Sequence, residues 1–427
     1  VRTSRDSVVL SRAPVVTALD MGYGHLRAAA AVASACGAAV VDADRPPIAS
    51  EDEAATWRRT RRWYEALSRA ADAWYAPGAR RLLDLVTGIP PLEPPRDLSA
   101  PTAGTKFLAR LIGRGLGAGL ASRLKETGDP LVSTFYAPAI AAEAHGAARV
   151  HLVVTDSDVN RVWAPADSRR TRISFLAPTE RTAARLASYG VPADRVRVTG
   201  FPLPPELAEP DACRRDFAAR LARLDPAGVF RGSLDGRLRA QIGDADAAAP
   251  GRPTIVFAVG GAGAQAGVAR HLLAALREPL RRGEVRVVLV AGTRAPVAAA
   301  FERWIRESGA GQAAEILHEP DFASYYRRFN ATLASADVLW TKPSELTFYA
   351  ALGLPLLCAR PLGVHERRNR EWAVGLGAAL DAKDFRRTAA ALPRLLADGT
   401  LAAAAWSGYT RMPRSGTSRI LDAVAQS

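Results

Sequence analysis

Three short stretches of this 427-residue chain set glycines beside polar side chains in a way that could do chemistry. In GYGHLRAA, Gly22 and Gly24 precede His25 and Arg27, just after an apolar run at 15–19. In an open α/β sheet, ligands bind beyond the carboxyl ends of the strands, where glycines let the backbone come close. A histidine there can take a proton from a hydroxyl, because an imidazole with an unperturbed pKa near ~6.5 is a usable base at neutral pH. The same pattern also suits a histidine that only caps or packs a helix. In VGGAGAQAG, Gly260, Gly261, Gly263 and Gln265 stand between an apolar run and a helical one. Backbone N–H groups at a helix start, together with the helix dipole, make a seat for an anion such as a diphosphate. No GKS or GKT follows and GxGxxG spacing is absent, so this is neither of the common nucleotide loops. A plain tight turn is the alternative. In TKPSELTFYAALGLP and ARPLGVHERRN, Ser344, Glu345, His365, Glu366 and Asn369 come to one edge after successive strands. Carboxylates and amides pair with vicinal hydroxyls, which sugars and ribose both present.

These stretches need strands and helices to hold them. The apolar run at 15–19, a helix over 26–35 and a strand over 38–41 read as a β-α-β unit. Strands at 130–134, 150–155, 173–177 and 196–199 alternate with helical stretches, the last of them at 179–189. After a Pro-, Asp-, Ala- and Gly-rich passage with a charged helical piece inside it, the alternation resumes, with TIVFAVGGAGA, VRVVLVAG, AEILHEP, ADVLWT and LPLLCAR as strands and helices at 268–276, 297–308 and 323–333. Two α/β domains with mainly parallel sheets follow from this. The expected limits are 1–203 for the first, which carries a helical basic insertion at 45–129, and 254–400 for the second. A linker at 204–253 joins them, and a C-terminal helix at 401–427 is placed so that it could return to the first domain.

The net charge of +14 calls for an anionic partner: nucleic acid, an anionic membrane surface or phosphorylated ligands. An Arg-rich, GC-rich coding bias would give the same balance without function. Residues 57–125 hold thirteen Lys or Arg against five Asp or Glu, so eight of the fourteen charges sit in the insertion. There Lys106, Arg110 and Arg114 recur every four residues while Phe107, Leu108, Leu111 and Ile112 take another face, a basic amphipathic pattern that also fits a solvated helix packing on its own domain. Four glycines at 113–119 weaken any helix there. Apolar residues, 48% of the chain, nowhere run to the ~20 that a membrane span needs. No secretory signal is visible, and Cys36, Cys213 and Cys358 are too scattered for a zinc site or a disulfide framework, so each reads as a core residue of a cytoplasmic protein.

Taken in order, GYGHLRAA, DPLVSTFYAP, VVTDSDVNRVWAPAD, APTERTAARLASYGVPADRVRVTGFPL, VGGAG, ADVLWTKP and HERRNREWAVGLGAA span 15–379. They resemble the family of monogalactosyldiacylglycerol synthase and the bacterial processive diacylglycerol glucosyltransferases, related to the lipid-linked N-acetylglucosamine transferase of peptidoglycan synthesis. The resemblance implies a GT-B fold, two Rossmann-like α/β domains facing a central cleft, and inverting transfer of a sugar from a UDP-sugar to a lipid or other hydroxyl acceptor. By it, His25 or a carboxylate such as Asp156 acts as base. Gly22, Gly24, Arg27, Asn160 and Trp163 fall on the acceptor side, and Gly260, Gly261, Gly263 and Gln265 hold the diphosphate with help from Arg294. Uracil lies near Phe322. Ser344, His365, Glu366 and Asn369 face the donor, the last three in a sugar-binding motif. The family's ribose glutamate would fall at Phe348, and Glu345, three positions earlier on the same helical face, takes that role here. Asn160 stands where the family has histidine, and His365 where it has glutamine. No metal and no cofactor is implied, since a helix start and basic side chains can stabilise the leaving diphosphate. The implied partners are the donor, the acceptor and an anionic membrane surface, with no nucleic acid, and the implied place is the cytoplasm, peripheral at the inner face of the membrane. A UDP-sugar epimerase of the same fold and a catalytically silent sugar-nucleotide or lipid-binding protein stay open as alternatives.

Overall fold

The computed structural model describes residues 12–19, 22–72, 88–234, 236–243, 251–258, 265–361 and 363–427, with side chains 61 and 63–72 also left aside. Gly260, Gly261 and Gly263 lie outside the described residues. The chain divides into two compact units, the first formed by Val1–Pro205, Gly363–His365 and Pro413–Ser427, the second by Glu206–Leu362 and Glu366–Met412.

The first unit carries a six-stranded parallel sheet of β1 (Val15–Ala18), β2 (Val40–Asp42), β3 (Leu131–Ser133), β4 (Val150–Val153), β5 (Ser174–Ala177) and β6 (Val196–Val198), in the order β2-β1-β3-β4-β5-β6. Helices cover both faces of such a sheet, so its central strands are mostly apolar instead of alternating. β1, β3 and β4 are buried at every position, and the sheet divides the apolar side chains into two core clusters. Register runs from Val15 opposite Leu131 to Leu131 opposite Val150, which brings the ends of β1, β3 and β4 to one edge. The first helix, Tyr23–Cys36, begins three residues before its expected start, so His25 falls inside its first turn.

The second unit holds another parallel sheet, made of β7 (Thr254–Ala258), β8 (Arg286–Gly292), β9 (Ala314–His318), β10 (Val338–Thr341), β11 (Leu356–Cys358) and β12 (Ala379–Asp381), in the order β12-β11-β10-β7-β8-β9. Two expectations change here. The stretch 204–253 is more than a linker: the helix Pro210–Leu224 buries Cys213, Phe217, Leu221 and Leu224 in the second unit. The end of the chain is two helices, Thr400–Arg411 and Gly416–Ala425, because Met412 takes an extended backbone and Pro413 follows. The first groups with the second unit and the second with the first unit.

The basic insertion is also rearranged. Thr102 caps the helix Ala103–Gly113 by accepting a bond from the Thr105 N–H. Its apolar residues do not form one outward face: Leu108 and Ile112 are buried in the core, Leu111 is half-buried, and Phe107 is 57% exposed. The glycines end that helix and start the next, Ala118–Thr127. Gly117 has φ of 80°, and a Cβ there would lie 2.4 Å from that of Ala141, so both backbone shape and packing require glycine. Cys213 and Cys358 are buried and Cys36 is partly so. Among the described residues no helix is long and apolar enough to cross a membrane.

Candidate functional site

At the carboxyl ends of β1, β3 and β4 the first unit encloses a cavity of about 680 Å³. His25 reaches it from the helix start behind Gly22, whose φ of 123° suits only glycine. His25 Nδ1 lies 2.8 Å from the Thr134 carbonyl oxygen and 3.2 Å from Thr155 Oγ1, while Thr134 Oγ1 donates to the His25 carbonyl at 2.9 Å. A carbonyl can only accept, so Nδ1 carries a proton, and in the neutral ring the lone pair is then on Nε2; the hydrogen-bond network assigns this tautomer. The ring is set edge-on against Phe135 at 4.8 Å and lies 6.2 Å from Trp163, and Tyr136 adds to the same aromatic wall at 4.4 Å from Phe135 and 5.4 Å from Trp163. The insertion supplies the opposite walls, with Trp57, Phe107, Leu108 and Leu111. Where the helix Ala103–Gly113 approaches the turn Arg161–Trp163, a Cβ on Gly104 would touch Val162 at 3.0 Å.

Two aspartates of the sequence TDSD have separate fates. Asp158 is fully buried and holds Arg185 Nε at 2.7 Å and Arg181 Nε at 2.9 Å, so it locks the loop. Asp156 lines the cavity. Asn160 and Trp163 line it as well. Arg27 does not: it is buried with its guanidinium 5.4 Å from the Tyr23 ring. Gly22 and Gly24 shape the helix start and stay out of the lining. Thr134 and Thr155 were missed by the sequence reading, although both stand within stretches it quotes, since a threonine that fixes an imidazole through a backbone carbonyl leaves no compositional mark.

In the second unit the polar residues gather around β10. Lys342, directly after that strand, lies 2.6 Å from Glu366 on the helix Val364–Gly375. Glu366 and Asn369 are buried, and Glu345, 7% exposed, opens the 3₁₀ helix Glu345–Leu352 behind half-buried Ser344. Residues three apart eclipse in such a helix, so Glu345 and Phe348 do share a face, and Phe348 is occupied there by Trp372 at 5.0 Å. Gln265 has φ of 66°, in the left-handed region that a residue with a side chain enters at a cost, and its Nε2 donates to the Arg360 carbonyl at 2.7 Å. Arg294 precedes the helix Ala295–Ser308 at the end of β8, and Phe322 opens the helix Phe322–Ser335, 5.9 Å from Tyr326. His365 sits in the first turn of its helix, within the segment Gly363–His365 that groups with the first unit. Lys342 was quoted in the sequence but not singled out; its role depends on a partner 24 residues away. Among the described residues no three His, Cys, Asp or Glu side chains are placed to hold a metal ion.

No protein-family model matches the sequence, and no curated protein matches it. Solved structures do. MurG of Acinetobacter baumannii superposes with a TM-score of 0.51 at 14% identity, covering 97% of this chain and 100% of that one. The fold is GT-B, two Rossmann-like α/β domains. A putative UDP-N-acetylglucosamine 2-epimerase from Listeria monocytogenes gives 0.47 at 14% identity over 74% of this chain and 79% of that one. HepE of Anabaena, solved in complex with UDP and glucose, gives 0.41 at 16% identity over 83% and 95%. The last two likenesses are too loose to add to the first.

Proposed function

We propose that the chain is an inverting glycosyltransferase that moves a sugar from a UDP-sugar to a hydroxyl on an apolar, lipid-like acceptor. The reading is carried by one observation: an imidazole whose Nδ1 proton is held by the Thr134 carbonyl, so that Nε2 is basic, in the wall of an apolar cavity of a GT-B fold. In the reaction, Nε2 of His25 accepts the acceptor's hydroxyl proton while that oxygen bonds to the anomeric carbon. The bond from that carbon to the diphosphate breaks on the opposite face, and UDP leaves with the electron pair. Inversion follows from the single displacement.

The second unit binds the donor in this reading. Phe322 meets the uracil and Glu345 the ribose hydroxyls. The loop with Gly260, Gly261 and Gly263, together with Gln265 and Arg294, takes the diphosphate, and Ser344, Glu366 and Asn369 take the sugar, while His365 lines the first unit's cavity. The motif resemblance to diacylglycerol glycosyltransferases supports a lipid acceptor, as does the apolar lining, and a cytoplasmic enzyme peripheral at an anionic membrane surface is its natural setting.

A thermal-shift panel of UDP-, GDP- and dTDP-sugars tests the donor, since occupancy at about a hundredfold Kd stabilises by ~2.7 kcal/mol. Stabilisation by UDP-sugars followed by UDP release with a hydroxyl acceptor is the expected result. An isomeric UDP-sugar formed from donor alone would make the chain an epimerase. Binding of donor that is never consumed would make it a silent binder.

A further inference from the structure

The polar side chains that line the first unit's cavity are mostly spoken for by the protein itself. Thr56 Oγ1 donates to the Asp52 carbonyl and Thr60 Oγ1 to the Thr56 carbonyl, each at 3.0 Å, so both hydroxyl protons are turned into their own helix. His25 Nδ1 is committed to Thr134. Asn160 differs. Its Oδ1 is closed off from solvent and has no hydrogen-bond partner among the described residues, in a cavity wall built mostly of rings and aliphatic groups, with Arg59 and Asp156 as its charged members. A buried carbonyl oxygen left without a donor costs about 1–3 kcal/mol, a cost that a ligand bringing a donor removes.

The backbone around this amide is held firmly. Asn160 precedes the turn Arg161–Trp163 and accepts the Trp163 N–H at 3.2 Å. Arg161 lies beneath the turn, donating to the carbonyls of Ser99, Ala164 and Pro165 at 2.7 to 2.9 Å. Trp163, one turn on, lies 6.2 Å from the His25 ring, which puts Asn160 in the neighbourhood of the reacting hydroxyl.

Resting on the glycosyltransferase reading for the reacting hydroxyl, we infer that Asn160 selects the acceptor. It selects an apolar molecule whose head carries a second donor, a hydroxyl or an amide N–H, beside the hydroxyl that reacts. A head whose remaining polar groups are esters or ethers offers only acceptors and leaves Oδ1 unpaired. A 1,2-diol or a hydroxy-amide on an apolar body satisfies it.

The test compares 1,2-decanediol with 1-decanol, which share a chain and differ in the second hydroxyl. Isothermal titration measures binding and UDP release from UDP-glucose measures transfer, in the wild type, Asn160→Leu and Asn160→Ser. The wild type should bind the diol about tenfold more tightly, the worth of one buried hydrogen bond. Asn160→Leu should erase that preference while holding or improving the affinity for 1-decanol, and Asn160→Ser should keep part of it. In transfer the loss should fall on the acceptor KM, with kcat less affected. Equal binding of both alcohols by the wild type, failure of both to bind at millimolar concentration, or an undiminished preference in Asn160→Leu would overturn the assignment. A binding preference that Asn160→Leu removes, with no UDP released by any acceptor, would uphold Asn160 as selector and sink the glycosyltransferase reading. Transfer that ignores the second hydroxyl would do the reverse.

Discussion

The candidate sites of the two units are built of opposite materials. In the first, most nearby charge is taken up away from the cavity: Asp158 is buried against Arg181 and Arg185, and Arg161 donates to backbone carbonyls, so that rings and aliphatic side chains make up most of the wall around His25, Asp156 and Asn160, with Arg59 as the cation in it. In the second, charge stands at the candidate site itself, with the Lys342–Glu366 pair, Glu345 and Asn369 all wholly or mostly buried near β10. The difference bears on selectivity. An apolar wall separates ligands that differ by a methylene by only ~1–3 kcal/mol, whereas a buried polar group rejects a ligand that leaves it unpaired far more strongly. A donor site of the second kind should be strict, and an acceptor site of the first kind permissive everywhere except at its few polar points.

The sharpest way to break this contrast is at His25. His25→Ala should lower turnover ~10²-fold or more and leave the UDP affinity unchanged, because the base touches only the acceptor. Steady-state rates with titration of UDP check it, and a matching loss of UDP affinity would show that the two functions are not separated by unit.

The frame of the first unit has its own signature. His151 on β4 is 1% exposed, and burial, reinforced by the charges of Arg149 and Arg197, pushes its imidazole down to about 4. The unfolded chain takes up that proton near ~6.5 while the folded one resists, so stability present above pH ~6.5 is lost as pH falls towards 4. The loss amounts to at most about 3 kcal/mol. Urea unfolding between pH 7.5 and 4.5 should show this slope, and His151→Phe should flatten it. An unchanged slope in the variant would assign the effect elsewhere.

On the second side, Glu345→Ala should weaken UDP binding by about 2 kcal/mol, roughly thirtyfold, through the loss of charge-assisted bonds to ribose. Isothermal titration reads the affinity, and a melting curve separates it from damage to the 3₁₀ helix that Glu345 opens. Retained affinity would move the ribose contact away from this residue.

The smallest effect concerns the outer surface of the insertion, where Lys106, Arg110 and Arg114 are exposed and Phe107 protrudes. Each change of these cations to Gln should weaken association with anionic vesicles by about 1 kcal/mol, some fivefold, and the effect should fade with salt. Co-sedimentation measures it. A protein that ignores anionic vesicles would leave the permissive acceptor site without a membrane setting.

The sheets were legible because a parallel strand buried on both faces writes itself as an uninterrupted apolar run, as in IVFAV and VVLVAG. Helix starts were less so: Tyr23, Gly24 and His25 looked like a turn because glycines there mask a helix that begins at once. The helix Pro210–Leu224 was legible as a charged helical piece in a Pro- and Asp-rich passage, but its place in a core was not, although Cys213, Phe217, Leu221 and Leu224 fall on one helical stripe. Of the site, the local part was readable, His25 and the polar residues around β10. The part made by distant segments was not. Trp57 and Phe107 as cavity walls, Thr134 behind His25 and Lys342 beside Glu366 are relations between residues that are far apart in sequence.

The last helix, Gly416–Ala425, gives Ile420, Leu421, Ala423 and Val424 to the same core cluster as Val16, Val132, Val153 and Leu176. It is fastened there by Thr417 Oγ1 donating to the Leu203 carbonyl at 2.6 Å. During synthesis, therefore, the face of the first sheet that this cluster covers has only the helix Tyr23–Cys36 over it until residue 424 has been made, whereas the second unit is already complete by Met412. The unit that is translated first is thus the one whose core is completed last, and its half-covered sheet is what a chaperone would meet in the interval.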